Sequence, residues 1–553
     1  EGEGSEESTA DAPEPAAKMP RRSERLAARG GVARVLALQA APEPESYIEA
    51  MESGEQDQWR AAMDQEIASL KENQVYTVEP IPSNARVLPT KWVYRRKPAG
   101  DGVVHKARFV AKGFAQQEGI DYSEVFAPVS AHPTLRMLLA HVAKEDLELH
   151  QLDIATAFLH GELEERVYVR PPEGYECGEG KCWQLHKALY GLKQAPRAWY
   201  GKLRRALEEL GFVAATADPA LFVRSHDKET EFLLVYVDDL LIAARELIVV
   251  EHTKKEVLSR FKGRDLGEAG VYLGLHITRD RAAGTLKVSQ QAYSSQLLKK
   301  HGLEEAKSRS TPMDQGTKLS KEGDSVQDEG ERKRYASTVG ALLYLANCTR
   351  PDIAYATSSL ARFMSAPTQQ HLQAAKAVLR YLAGTLDQGV VYSKHHGDGL
   401  VGYGDADYAG CVDTRRSTSG YVFLCAGGAV SWQSKRQTVV ALSTAEAEYI
   451  AAAALVREAL WLQRLERDMC MNETDVPVPL RTDNQAALHI INGSMGSRRV
   501  KHVEVPFHFA RDMTEKGKVQ FAYCSTNEMA ADALTKPLGP SALGKCKKLM
   551  GLK

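Results

Sequence analysis

Carboxylates are the residues in this chain whose placement first suggests chemistry. Asp153 closes an apolar, strand-like run in LHQLDIATAFLHG, and Asp238 and Asp239 sit side by side in YVDDLL. An Asp-Asp pair at a turn is commonly just a turn, because aspartate satisfies its own backbone there. Here both flanks, within Leu233–Ala244, read as buried apolar strands. Two adjacent carboxylates repel each other, and burial raises their pKa values further. A divalent cation relieves both effects, and carboxylates with substrate phosphates are the ligand set Mg²⁺ prefers. Two such ions about 3.5–4 Å apart can activate an attacking 3′-oxygen and stabilise a leaving pyrophosphate. These residues point to phosphoryl transfer.

Those carboxylates need a framework. Trp59, Met63, Ile67 and Leu70 have helical spacing within Trp59–Leu70, and residues 75–130 mix short strands with turns. Pro171–Gly180 reads as a loop, and Leu233–Ala244 as two strands about an acidic turn. From about 287 to 385 the pattern is helical, with a charged gap over Lys318–Arg334. Strand alternation returns near residue 399, followed by a long helix over Ser443–Leu465, a strand over Val478–Thr482, another helix and a last strand over Lys518–Thr526. That order predicts a separate mixed α/β domain. Residues 1–45, rich in Ala, Pro, Glu and Gly, are expected to be a disordered linker, with Arg21, Arg22, Arg25 and Arg29 as a solvated cluster.

Bulk composition narrows the class. The 553 residues carry 71 Lys+Arg against 72 Asp+Glu, a net charge of −1, with 43% hydrophobic and 7% aromatic residues. This excludes collagen-like, disulfide-framework and wholly disordered chains. The eight Cys are scattered, which is expected of free thiols, and Cys177 and Cys182 lack the partners of a zinc site. No apolar run reaches the 18 or so residues of a membrane span. Neutrality on its face argues against a nucleic-acid binder. Yet fifteen basic residues are gathered in two short segments: Arg86, Lys91, Arg95, Arg96, Lys97, Lys106, Arg108 and Lys112, then Lys181, Lys187, Lys193, Arg197, Lys202, Arg204 and Arg205. Such runs favour salt-dependent phosphate contact. Trp92, Trp199 and Tyr200 interleave with them and are expected to pack in the core.

Longer strings carry a family resemblance. KWVYRRK (91–97), HKARFVAKGFAQQEGIDYSEVFAPV (105–129), QLDIATAFLHGELEERVYVRPPEGY (151–175), LHKALYGLKQAPRAWY (185–200) and YVDDLL (236–241) resemble the reverse transcriptase of copia-type (Pseudoviridae) LTR retrotransposon Pol polyproteins. GYGDADYAG, STAEAEY, LRTDNQAAL and NEMAADALTKPL resemble the RNase H domain of the same elements.

The resemblance implies a multidomain α+β and α/β chain: a right-hand polymerase of fingers, palm and thumb, a helical connection, and an RNase H-like α/β domain. The implied boundaries are 1–45 linker, 46–285 fingers and palm, 286–396 thumb and connection, 397–540 RNase H, and 541–553 a basic tail. It makes Asp153, Asp238 and Asp239 the polymerase metal ligands, and Asp405, Glu448, Asp483 and Asp532 those of RNase H. Phe158 falls where an aromatic would bar a 2′-hydroxyl; Lys106 and Arg108 would meet the triphosphate; Tyr190 and Gly191 would wall the nucleotide pocket. Tyr190 stands where retroviral enzymes carry Gln. Tyr272–Ile277 resembles the primer-grip hairpin, and Lys262 is a candidate proton donor to pyrophosphate.

Glu446 fits a helix capping box on Ser443, leaving Glu448 as the ligand, and Asp407 would support Asp405. The stretch Cys524–Ala531 lacks the His that many RNase H enzymes place before the last Asp; His502 and His508 are expected to be structural or exposed.

Implied cofactors are Mg²⁺, with Mn²⁺ as the alternative, two ions per site, and dNTP substrates. Implied partners are an RNA–DNA hybrid, a DNA primer–template, a tRNA-like or RNA primer, and the integrase and capsid proteins of the element. No membrane is implied, and a homodimer is compatible. The setting would be cytoplasmic virus-like particles, with product DNA passing to the nucleus. The lack of an initiator Met and the linker-like start are expected of a segment released from a polyprotein. Two alternatives compete. A domesticated nucleic-acid-binding or assembly protein without catalysis predicts decayed ligands, whereas all seven are present. An RNA-synthesising polymerase is disfavoured by Phe158.

Overall fold

The computed structural model describes residues 42–99, 102–226, 229–396, 399–471, 476–492 and 505–553. The arginine cluster at residues 21–29, His502 and most of the expected linker lie outside the described residues. The linker's last residues are held, however. Glu43 accepts from the Arg96 backbone N–H at 2.8 Å and pairs with the Arg95 guanidinium. Held structure is therefore present a few residues before the expected Tyr47. It divides into two compact units, residues up to 127 with 158–202, and residues 128–157 with 203–553. The expected block 46–285 is thus shared between both.

In the first unit, the helix Gln56–Glu72 buries Trp59, Met63, Ile67 and Leu70, as their spacing predicts. It packs on a long hairpin of Thr90–Ala99 and Gly102–Ala111, paired in register from Thr90↔Ala111 to Ala99↔Gly102. Period-two alternation sends Ala107, Phe109 and Ala111 into the core and Lys106 and Arg108 to the opposite face. A four-stranded sheet completes the unit, in the order Tyr76–Pro80, Lys181–Lys187, Glu162–Val169, Val87–Leu88. Trp92 and Trp199 are buried, so core packing is their role, as expected.

The second unit is built on three sheets. The first has six strands in the order Gly263–Glu268, Glu148–Ile154, Asp239–Ala244, Glu229–Tyr236, Leu221–His226, Val213–Ala214. Its Leu233, Leu234, Leu240, Leu241 and Ile242 are fully buried, which explains the continuous apolar run either side of the acidic turn. The second sheet joins Val271–Tyr272, Leu275–Asp280, Thr285–Ser289 and Gly389–Ser393, so the boundary expected at 285/286 falls inside it. Long-range pairing made that join, and local pattern does not report it.

A helical layer follows: Gln291–Lys300, Glu329–Cys348, Ala354–Ala361 and Gln369–Ala383. The charged gap over 318–334 ends inside a helix, because Asp328 caps it through the Glu331 N–H at 2.7 Å. The third sheet has the order Gly428–Arg436, Thr418–Cys425, Val401–Ala406, Val478–Thr482, Val519–Tyr523, the first three antiparallel and the last two added in parallel. The long helix Thr444–Asp468 packs across it.

Residues 541–553 are not a tail. Pro540–Leu549 is a helix that buries Leu543 and Cys546, and Met550 and Leu552 are buried just beyond it. Gly389 and Lys553 then exchange backbone hydrogen bonds at 3.0 and 3.1 Å. The lysines lie between these apolar positions, so the segment is an amphipathic helix and not a basic tail. All eight cysteines are free. Among the described residues no helix is long and apolar enough to cross a membrane.

Candidate active sites

Strand register builds the first carboxylate centre. Asp153 lies directly opposite Asp239 across the Glu148–Ile154 and Asp239–Ala244 pair, so their side chains share a face. Tyr236 pairs with Asp239, which leaves Val237-Asp238 as a two-residue hairpin turn. Val237 has φ +57° there, a conformation that costs a β-branched residue about 1–3 kcal/mol. Ile154 N–H donates to the Asp238 carbonyl at 2.8 Å, fastening the turn to the end of the Asp153 strand.

All three aspartates are half-buried. Burial and the charge of Asp238 push the Asp239 carboxyl above its ordinary range, while a hydrogen bond from Gln151 Nε2 at 3.2 Å opposes this. Two further elements converge. Lys262 is exposed and its carbonyl accepts from Ala155 N–H at 2.9 Å. The Tyr272–Ile277 segment is indeed a hairpin, turning at Leu273 and Gly274 (φ +50° and +78°), with the Tyr272 hydroxyl 3.5 Å from the Asp239 carbonyl oxygen.

Four of the other expected residues meet within the first unit. The Phe158 ring stands edge-on to Tyr190 at 5.0 Å, and the Arg108 guanidinium lies over the other ring at 4.6 Å. Arg108 is thereby distinguished from Lys106, which sits exposed two residues earlier on the same strand face. Gly191 has φ +90°, and a Cβ on it would lie 2.1 Å from the Ala111 carbonyl oxygen. Only glycine fits, because Ala111 N–H donates to the Tyr190 carbonyl at 2.8 Å and draws the two backbones together.

The second centre is tighter. Asp405 lies near the end of the Val401–Ala406 strand, Glu448 in the first turns of the long helix, and Asp483 directly after Val478–Thr482. One carboxylate oxygen from each of these three lies within 4.8 Å of the others. Asp153, Asp238 and Asp239 do not form so close a grouping. Burial and the charges of Asp405 and Asp483 push Glu448 up to about 10. Asp532, in the turn Ala530–Leu534, is pushed up to about 7 by burial and Asp405. Asp405 also accepts from the Thr535 hydroxyl, and Asp483 from the Thr526 hydroxyl at 2.8 Å. Buried like charges at this spacing are what a divalent cation relieves, so the donor set fits a hard metal ion.

The neighbouring acids have other work. Glu446 caps its helix, but its carboxylate accepts from Leu442 N–H at 2.8 Å, one residue before the expected Ser443, while Ser443 Oγ accepts from Glu446 N–H at 3.2 Å. Asp407, raised to about 6 by burial, accepts from the Thr418 N–H and so clamps two strands. His508 is exposed, as expected.

Lys536 is the residue that the sequence reading missed. Its Nζ lies 2.9 Å from Asp532 Oδ1 and 3.8 Å from Asp405 Oδ2. The signal was present in ADALTKPL, since Asp and Lys four residues apart face each other on a helical turn.

The two basic segments are acid-poor only along the chain. Folding brings acids to them from elsewhere, pairing Arg95 with Glu43, Arg96 with Glu55, Arg197 with Glu124 and Lys202 with Glu162. Their net field is weaker than the sequence count suggests.

The chain is similar to known proteins over most of its length. Residues 73–315 match the family model described as reverse transcriptase (RNA-dependent DNA polymerase). The chain is 40% identical to the retrovirus-related Pol polyprotein from transposon TNT 1-94 of Nicotiana tabacum, over 92% of this chain and 39% of that protein. It is 34% identical to a transposon Ty5-1 protein of Saccharomyces cerevisiae, over 56% of this chain and 100% of that protein. A foamy viral protease–reverse transcriptase, solved in complex with double-stranded DNA, aligns over 85% of this chain and 70% of that one, with a TM-score of 0.46 and 12% identity. The chain thus spans about two fifths of the tobacco relative. On its matched segments and full-length coverage of the yeast relative, the chain belongs to the reverse-transcriptase family carried by the Pol polyproteins of copia-type transposons.

Proposed function

We propose that this chain synthesises DNA from dNTPs on RNA and DNA templates and cleaves the RNA strand of RNA–DNA hybrids. It would do so for replication of its element within cytoplasmic particles. The observation that carries the two-activity reading is the convergence of Asp405, Glu448 and Asp483 from three separate elements in a chain whose other half matches a polymerase family.

Asp153, Asp238 and Asp239 would hold Mg²⁺ at the first centre, and Asp405, Glu448, Asp483 and Asp532 at the second. The bound ions would supply Lewis-acid activation of an attacking oxygen and stabilise charge on the leaving one. The chain's own residues supply binding and orientation. Arg108, steadied on the Tyr190 face, presents a guanidinium suited to a triphosphate. Phe158, held edge-on by Tyr190, is a fixed ring of the kind that excludes a 2′-hydroxyl. Tyr272 supports the strand bearing Asp239 and orients the hairpin proposed to hold the primer.

At the second centre, the Thr535 and Thr526 hydroxyls aim Asp405 and Asp483. The test is a pair of assays on one preparation, primer extension on an RNA template and cleavage of a labelled RNA–DNA hybrid, both with Mg²⁺. Hybrid cleavage absent from a preparation that extends primers removes the RNase H assignment. Tight duplex binding without turnover in either assay replaces the whole reading with a non-catalytic binder.

A further inference from the structure

Lys536 has no part in the chemistry proposed above, yet it stands inside the second centre. Asp405 has two sets of neighbours. Glu448 and Asp483 bring their oxygens within 4.8 Å of its carboxylate. The Thr535 hydroxyl and the Lys536 ammonium also reach it, the ammonium 3.8 Å from Asp405 Oδ2. Asp532, the fourth expected ligand, is outside the three-carboxylate grouping and is paired with that ammonium at 2.9 Å. Lys536 N–H also donates to the Asp532 carbonyl at 3.3 Å, so the turn itself fixes the stem of the side chain.

An ammonium is a compact point charge with three donors. Placed between Asp405 and Asp532, it takes the position that a cation bridging those two carboxylates would need. The side chain is 39% exposed, which leaves it a way out to solvent.

We propose that Lys536 is a built-in cation for the Asp405–Asp532 side of the centre. It leaves the Asp405–Glu448–Asp483 side open to one divalent ion and makes entry of a second ion a displacement of the ammonium. This rests on the RNase H reading and deepens it. The second ion enters when substrate phosphate supplies further negative charge, so the lysine ties full metal loading to hybrid binding. It is a positioning residue, acting through Asp405 and Asp532.

The experiment uses the full chain with Asp153→Asn and Asp238→Asn to silence the first centre. Mn²⁺ is titrated and the bound ions counted by electron paramagnetic resonance, without nucleic acid. The parent should bind one ion well and a second at least about tenfold more weakly, and Lys536→Met should strengthen that second binding by about tenfold or more. Lys536→Gln should do the same, which guards against a folding defect peculiar to Met. Lys536→Arg, which keeps the charge, should behave as the parent does. The Mg²⁺ concentration giving half-maximal hybrid cleavage should fall in Lys536→Met.

Unchanged or weaker second-ion binding in both Lys536→Met and Lys536→Gln overturns the proposal while leaving the RNase H reading intact, provided the parent cleaves hybrid. A parent that neither binds Mn²⁺ at this centre nor cleaves hybrid takes down both.

Discussion

Replacing Asp483 with Asn removes one charge from the second centre with almost no change of shape. Asp483 is the most accessible of the three close carboxylates, and its bond from Thr526 can be kept by the amide oxygen. Two full charges no more than 4.8 Å apart repel by about 3.5 kcal/mol or more at an effective dielectric of about 20. Partial exposure of Asp483 lowers this, so the metal-free protein should gain about 1–2 kcal/mol. Mg²⁺ should reverse that order of stability. Wild type at a hundredfold excess over its Kd gains about 2.7 kcal/mol, and the variant loses most of that gain.

The pH dependence follows the same cause. Glu448 is held at about 10 in the folded chain against 4.5 for a free Glu, so the folded state binds the extra proton. Metal-free stability therefore falls as pH rises from about 5 towards 10, and the slope should flatten in Asp483→Asn. The assay is thermal unfolding in EDTA and in saturating Mg²⁺ across that pH range, alongside hybrid cleavage. A variant less stable than wild type in EDTA, yet equally stabilised by Mg²⁺, would refute the charge argument. RNA cleavage should be lost and DNA synthesis spared.

Arg136 is fully buried and donates to the carbonyls of Val430, Asn347 and Cys348 at 2.7–2.9 Å, with its guanidinium 3.8 Å from the Trp432 ring centroid. Arg136→Met should cost about 3 kcal/mol or more, at about 1–3 per orphaned group, seen as a lower midpoint in urea unfolding. Gly191→Ala must move the Ala111 backbone and hold φ +90°, so it should destabilise the first unit by several kcal/mol, roughly the sum of overpacking and left-handed strain. Limited proteolysis within residues 42–127 reports it. Phe158→Ala should raise ribonucleotide incorporation relative to dNTP, and unchanged sugar selectivity would remove its assignment as the steric filter.

Much of this was readable in the sequence because it is local. The Trp59, Met63, Ile67, Leu70 spacing gives its helix, and the uninterrupted apolar residues around Asp238-Asp239 give two buried central strands. The Val478–Thr482 strand is found at its expected residues. Several departures are products of long-range contact. Nothing near Glu43 announces its tie to Arg95 and Arg96, fifty residues on. Strand Gly389–Ser393 pairs with Thr285–Ser289 across the helical layer and its loops, which no local period marks.

The paired state of the basic segments was hidden for the same reason. Lys536 and the C-terminal helix are different: their signals were local and short, and a charge-first reading passed over them. Val237 illustrates the limit from the other side. Its left-handed backbone breaks residue preference at the turn that carries Asp238.

The most direct test of the central claim is primer extension by the wild-type chain and by Asp238→Asn, on an RNA template with Mg²⁺ and dNTPs, with hybrid cleavage measured in parallel. Extension by wild type, abolished in Asp238→Asn while hybrid cleavage persists, is the expected result. Extension that survives Asp238→Asn, or a folded wild-type chain that extends nothing, would contradict it.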